Sequence, residues 1–209
     1  MKRLFLSILL AIAVAIPQES SAQIDLGKAL GLLLGESAQQ QTPSRSPLAE
    51  IAEKAPATKD LCHTWAYDRV YLKYLGTSPL ADAALQQIDG SAQAALKNAG
   101  IVSGAFTFTL RRNGECFIMR DGEALDGSYE YIAEKGRVTL KTSFEGATYS
   151  NKGFFVKEGK NLVLMVDARD VLSTLLAIYP EYRTDQTVVM IDGILQQFKG
   201  VYVCVEFRR

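Results

Sequence analysis

Histidine and tryptophan each occur once among the 209 residues, and cysteine three times. A single imidazole cannot supply the histidines of the usual zinc sites, and the spacing of Cys62, Cys116 and Cys204 matches no metal motif. Neither sign of charge dominates, with 23 Lys and Arg against 23 Asp and Glu. Without a basic block, nucleic acid is not an expected partner. No nucleophile elbow, phosphate loop or interpretable carboxylate pair is present, so catalysis is not expected and no cofactor is implied. After the N-terminus no apolar run approaches the roughly 20 residues that a bilayer-spanning helix needs.

What the N-terminus does have is Lys2 and Arg3, an apolar run from Leu4 to Ile16, and the small residues Ser20, Ser21 and Ala22. That order predicts a secretory signal peptide over residues 1–22, with a mature chain beginning at Gln23 and a periplasmic or secreted location. Residues 23–60 read as a helical or flexible N-terminal segment. Its "IDLGKALGLLLG" is an apolar helix candidate, "ESAQQQTPSRSP" a polar linker, and "SPLAEIAEKA" a short helix with Leu48, Ile51 and Ala55 on one side. The exposed leucines make residues 23–47 either a candidate docking element for a protein partner or a segment that folds back onto its own domain.

Residues 61–209 read as one domain, mainly β with helices. The stretch "LCHTWAYDRVYL" alternates as a strand, and "SPLADAALQQIDGSAQAALKNAG" is a long helix capped by Ser78 and ended by Gly100. From Ile101 the apolar period changes from 3.6 to 2. Three hairpins follow, the first turning at Asn113-Gly114 with an expected type I′ register that places Phe117 and Met119 inside and Cys116 outside. "DARDVLSTLLAIYP" and the stretch around 187–198 are expected helices, and "GVYVCVEF" is the closing strand. A meander that joins its first strand to its last has no edges, which favours an antiparallel up-and-down barrel over a sandwich.

The pattern Leu61, Thr64-Trp65, Tyr67, Gly100-Ile101, Phe106-x-Phe108, Gly114, Phe117-x-Met119, Gly127-x-Tyr129-x-Tyr131, Leu162-x-Leu164, Gly200 and Glu206-Phe207 resembles a domain-of-unknown-function family of exported Bacteroidales proteins. The resemblance implies a lipocalin-like barrel and no known activity. Lipocalins open their first strand with Gly-x-Trp; here that position is His63-Thr64-Trp65, an imidazole where close packing wants hydrogen.

Strand alternation sends Cys62 and His63 to opposite faces, which argues against a thiol–imidazole dyad. Cys62 and Cys204, both outward on strands that barrel closure makes neighbours, are the expected disulfide, with three free thiols as the alternative. The inward set Trp65, Tyr67, Phe108, Leu110, Phe117, Met119, Tyr129, Tyr131, Val203 and Val205, with His63 at the rim, is both the expected core and the candidate cavity for a small apolar ligand or lipid. The alternative function is a non-catalytic scaffold of the cell envelope with a filled barrel, acting through its N-terminal helix.

Overall fold

The computed structural model describes residues 46–144 and 146–209. The expected signal peptide and the Leu-rich part of residues 23–45 lie outside the described residues. In chain order the elements are α1 (Pro47–Glu53), α2 (Thr58–Leu61), β1 (Thr64–Tyr74), α3 (Pro79–Asn98), β2 (Thr107–Leu110), β3 (Glu115–Arg120) and β4 (Glu123–Ile132). They continue with β5 (Arg137–Phe144), β6 (Ala147–Glu158), β7 (Asn161–Asp167), α4 (Ala168–Ile178), α5 (Gln186–Gln197) and β8 (Val201–Arg208). The strands close an antiparallel barrel in simple chain order, with β8 paired back onto β1. Among the described residues no helix is long and apolar enough to cross a membrane.

Alternation decides which side chains enter the barrel. Leu162, Leu164 and Val166 of β7 face the interior, while Val163 and Met165 join Val156, Cys204 and Ile51 in a second cluster on the outer wall. That outer cluster is where α1 packs, through Ile51; Leu48 of the same helix is exposed, contrary to the expected shared face. In β1 the pairing slips between Tyr67 and Arg69, so the inward set changes phase and runs Trp65, Tyr67, then Val70, Leu72 and Tyr74.

The helices form where their end signals stand. In α3 the Ser78 hydroxyl accepts from the Ala81 amide at 3.4 Å. At the other end Gly100 (φ 74°) donates to Lys97 O and Ile101 donates to Leu96 O, the paired bonds of a Schellman stop. Because β2 pairs only with residues 64–66 of β1, the rest of that β1 edge needs other partners. Two α3 side chains supply them: Asp89 accepts from the Leu72 amide at 3.1 Å, and the Gln93 amide donates to Val70 O. Asp167 caps α4 by accepting from the Arg169 amide at 2.9 Å, and Pro180 follows its end.

The first hairpin corrects the expected register by one residue. Arg111 donates to Glu115 O and Gly114 donates to Arg111 O, so the loop has three residues, Arg112, Asn113 and Gly114, and only Gly114 takes positive φ (84°). Asn113 instead keeps an ordinary turn conformation and accepts from the Glu115 amide through its side chain at 3.1 Å. Leu110 then faces Cys116 rather than Phe117, and Phe108 faces Ile118. Cys116 therefore lies inside, and Phe117 and Met119 lie on the outer wall, where Arg111 covers the Phe117 ring at 4.4 Å and Met119 is 39% exposed. A two-residue turn with both φ angles positive does occur, at Asp121 (52°) and Gly122 (81°).

Candidate functional site

The inward residues divide into two halves along the barrel axis. At the end where β1 begins, Trp65, Tyr67, Phe106, Phe108, Leu110, Cys116, Phe155, Leu162 and Phe207 are all buried. Tyr67 stacks on Phe106 at 4.5 Å, and Phe108 meets Phe207 at 5.4 Å and Phe155 at 6.4 Å. This end is closed by α2: Leu61 is fully buried and its carbonyl accepts from the Trp65 indole at 2.9 Å. The tyrosine hydroxyls are committed to backbone. Tyr129 donates to Arg111 O at 2.8 Å and Tyr131 to Pro56 O at 2.7 Å. Burial pushes the phenols of Tyr67 and Tyr131 up to about 12 and the Cys116 thiol up to about 11. The residues that sequence places in a cavity are thus brought together as a packed and hydrogen-bonded core, apart from Phe117 and Met119 on the outer wall, Val205 toward the mouth and the exposed His63.

The other half, toward the barrel mouth, is different. Leu72, Tyr74, Ile118, Leu140 and Val205 point inward yet remain only partly buried. Against them stand Leu176 of α4, Ile191 of α5 and Phe198 just beyond it, also partly buried. The helices come over the mouth because they span the gap between the end of β7 and the start of β8. Thr174 reaches Asn151 of β6 at 3.1 Å, and Ile178 packs with Leu125, Ile118 and Tyr149 on the opposite wall. A crevice of about 200 Å³ runs beside this region between α3 and β1, lined by Leu72, Tyr74, Leu85, Asp82 and Asp89. Burial raises the Asp89 carboxyl above its ordinary range, partly offset by the Leu72 amide. The inward apolar side chains of the mouth are thus left partly open to solvent, and the crevice beside them mixes apolar with charged lining.

A larger pocket, about 520 Å³, lies at the opposite, closed end. It is framed by Pro56, Trp65 and Leu162, by the β6–β7 turn from Lys157 to Asn161, and by Arg208 and Arg209. Gly159 (φ 63°) takes the first place of that two-residue turn, where a type II′ geometry requires glycine. The Arg209 guanidinium lies over the Trp65 ring at 5.1 Å.

His63 is exposed, edge-on to Trp65 at 5.9 Å, and lines neither pocket. The expected Cys62–Cys204 disulfide is not formed, and all three cysteines are free. Cys204 sits opposite Tyr71, far along β1 from Cys62, in the outer cluster; burial pushes its thiol up to about 12. Cys62 instead donates to Thr58 O at 3.3 Å and touches the Tyr129 hydroxyl at 3.9 Å.

Among curated proteins none matches the chain. Among solved structures, the crystal structure of a DUF4847 family protein from Bacteroides vulgatus ATCC 8482 is similar at 11% identity and a TM-score of 0.36, over 69% of this chain and 92% of that one. The lipocalin-like domain family DUF4923 matches residues 39–209, most of the chain and every described strand. With an eight-strand up-and-down barrel closed around Trp65 at one end and roofed by helices at the other, the chain belongs to this family of lipocalin-like domains.

Proposed function

We propose that this is an exported, non-catalytic binding domain, periplasmic or secreted, that takes a small apolar ligand or lipid at the barrel mouth. One observation carries the reading: Leu72, Ile118, Leu140 and Val205 face inward but keep partial exposure, beside the partly buried Leu176 and Ile191 of helices whose Leu172, Leu175 and Leu195 are buried. Burying that surface against a ligand contributes about 25 cal/mol per Å². The ligand sits higher in the barrel than the aromatic set picked out by sequence, because that set is already packed.

The test is thermal melting of the delipidated protein across a panel of fatty acids and phospholipids, with native mass spectrometry of protein purified from its own host. A stoichiometric small molecule and a raised Tm are expected, and Leu140→Trp, which fills the mouth, should abolish both. An apo mass together with an unmoved Tm across the panel overturns the reading. Recovery of the mature chain beginning at Gln23 from the extracytoplasmic fraction tests export in the same preparation.

A scaffold acting through residues 23–47 is the second reading. Deletion of residues 23–47 should then abolish partner capture without lowering Tm. Unchanged partners count against it.

A further inference from the structure

The closed-end pocket is chemically unlike the mouth. Four cationic side chains, Lys157, Lys160, Arg208 and Arg209, line it against a single acidic side chain, Asp60. Asp60 is shared: its carboxylate lies 3.9 Å from Lys157, while its carbonyl accepts from Arg209 at 3.5 Å. Arg208 leans away to Asp68 at 4.0 Å. Glu206, nearby on β8, has one oxygen on Asn161 and the other on Arg69, both at 2.7 Å, so its charge is already matched. Among the described residues, neither Lys160 nor Arg209 has a carboxylate partner. The positive excess therefore centres on these two, beside the apolar edges of Pro56, Trp65 and Leu162.

From this geometry we infer a second binding site, at the closed end of the barrel, for a small organic anion: a carboxylate or phosphate group on a compact apolar or aromatic body. Arg209, whose guanidinium carbon lies 5.1 Å from the Trp65 ring centroid, presents a planar fork suited to such an anion, and Lys160 supplies an ammonium from the turn. The volume falls within the roughly 300–1,000 Å³ of small-molecule pockets. The site is separate from the mouth, so neither depends on the other.

Trp65 is the chain's only tryptophan, which makes its fluorescence a reporter of this end alone. Full-length mature protein is titrated with benzoate and phenyl phosphate, with benzyl alcohol and benzylammonium as neutral and cationic counterparts of the same body, and with inorganic phosphate. Saturable changes are expected for the two aromatic anions, at least tenfold tighter than for the alcohol or the ammonium. Inorganic phosphate should compete with them weakly, reading the charge contribution without the body. Raising ionic strength from 0.02 to 0.3 M should weaken the anions several-fold, since these cations are screened by salt. Arg209→Gln with Lys160→Gln should cost at least tenfold in affinity, and Lys152→Gln, on the outer wall of β6, should cost nothing. Equal binding of benzoate and benzyl alcohol, binding unaffected by the double substitution, or no response to any probe at 50 mM each overturns the inference.

Discussion

The two halves of the barrel interior are built from the same alternating strands but end differently. In the closed half, aromatic rings from β1, β2, β6 and β8 meet one another, and every tyrosine hydroxyl with an assigned partner is spent on a backbone carbonyl. In the mouth half, Val166, Val201 and Val203 are buried, while Leu72, Ile118, Leu140 and Val205 are only partly covered. Inward direction alone therefore does not make a core. What closes the end decides: α2 brings Leu61 onto the Trp65 indole, and Pro56 just before it meets the Tyr131 hydroxyl, whereas α4 and α5 lie over the mouth.

The contrast is sharpest in stability. Phe155→Ala, at a position with no exposure in contact with Phe108 and Tyr131, should cost about 3–5 kcal/mol by urea denaturation, while Leu140→Ala at the mouth should fall at or below the low end of the roughly 2–5 kcal/mol seen for buried leucines. Equal losses would erase the distinction between the halves. Next in size, Tyr131→Phe leaves the Pro56 carbonyl without its donor and should cost about 1–3 kcal/mol in the same assay.

Alkali should report mainly on the closed half and the outer cluster. Tyr67, Tyr131, Cys116 and Cys204 all keep their protons to higher pH when folded than when unfolded. Their contribution to stability is therefore complete below the ordinary thiol value of 9.0 and is lost as pH rises toward about 12. Melting temperature should be level from pH 7 to 8.5 and fall above pH 9. Cysteine alkylation at pH 8 should modify Cys62 well before Cys116 and Cys204, as read by peptide mass. The smallest change belongs to the mouth: Leu140→Trp should shift unfolding free energy by less than the roughly 1–3 kcal/mol that overpacking costs a filled core.

Much of the architecture was legible in the sequence. The change of period at Ile101, the Ser78 and Asp167 caps, the Gly100 stop and the alternation of the last strand each express a local rule, and each element stands where its rule puts it. The first hairpin was not legible, because Asn-Gly satisfies two turn geometries. Asn113 uses its side chain to bond the Glu115 amide, which fixes the three-residue loop and moves Phe117 and Met119 outside. Gly127 was an unused clue: a side chain there would meet Cys116 Sγ at 3.1 Å and Lys141 O at 2.7 Å, which fits Cys116 inside and opposite it. The bulge at Tyr67–Arg69 likewise brought Leu72 and Tyr74 into the interior, a phase change that simple alternation from Trp65 misses. The division between packed and open halves depends on where helices land after folding, which no local pattern encodes. The closed-end pocket shares that origin, since its cations come from one turn and from the last two residues.

The seam between β1 and β8 also sets a timetable. It joins residues 66–74 to residues 201–208, so its contacts span almost the whole domain, and loop-closure entropy must be met before any of them forms. A chain made from its N-terminus carries β1 with that side unpaired until the last strand is complete. Meanwhile α3, adjacent in sequence, can already shield the opposite edge through Asp89 and Gln93. The barrel is thus half-guarded early and sealed in one late event. Loss of the β8 strand should leave an adhesive, unclosed sheet rather than a slightly weakened domain.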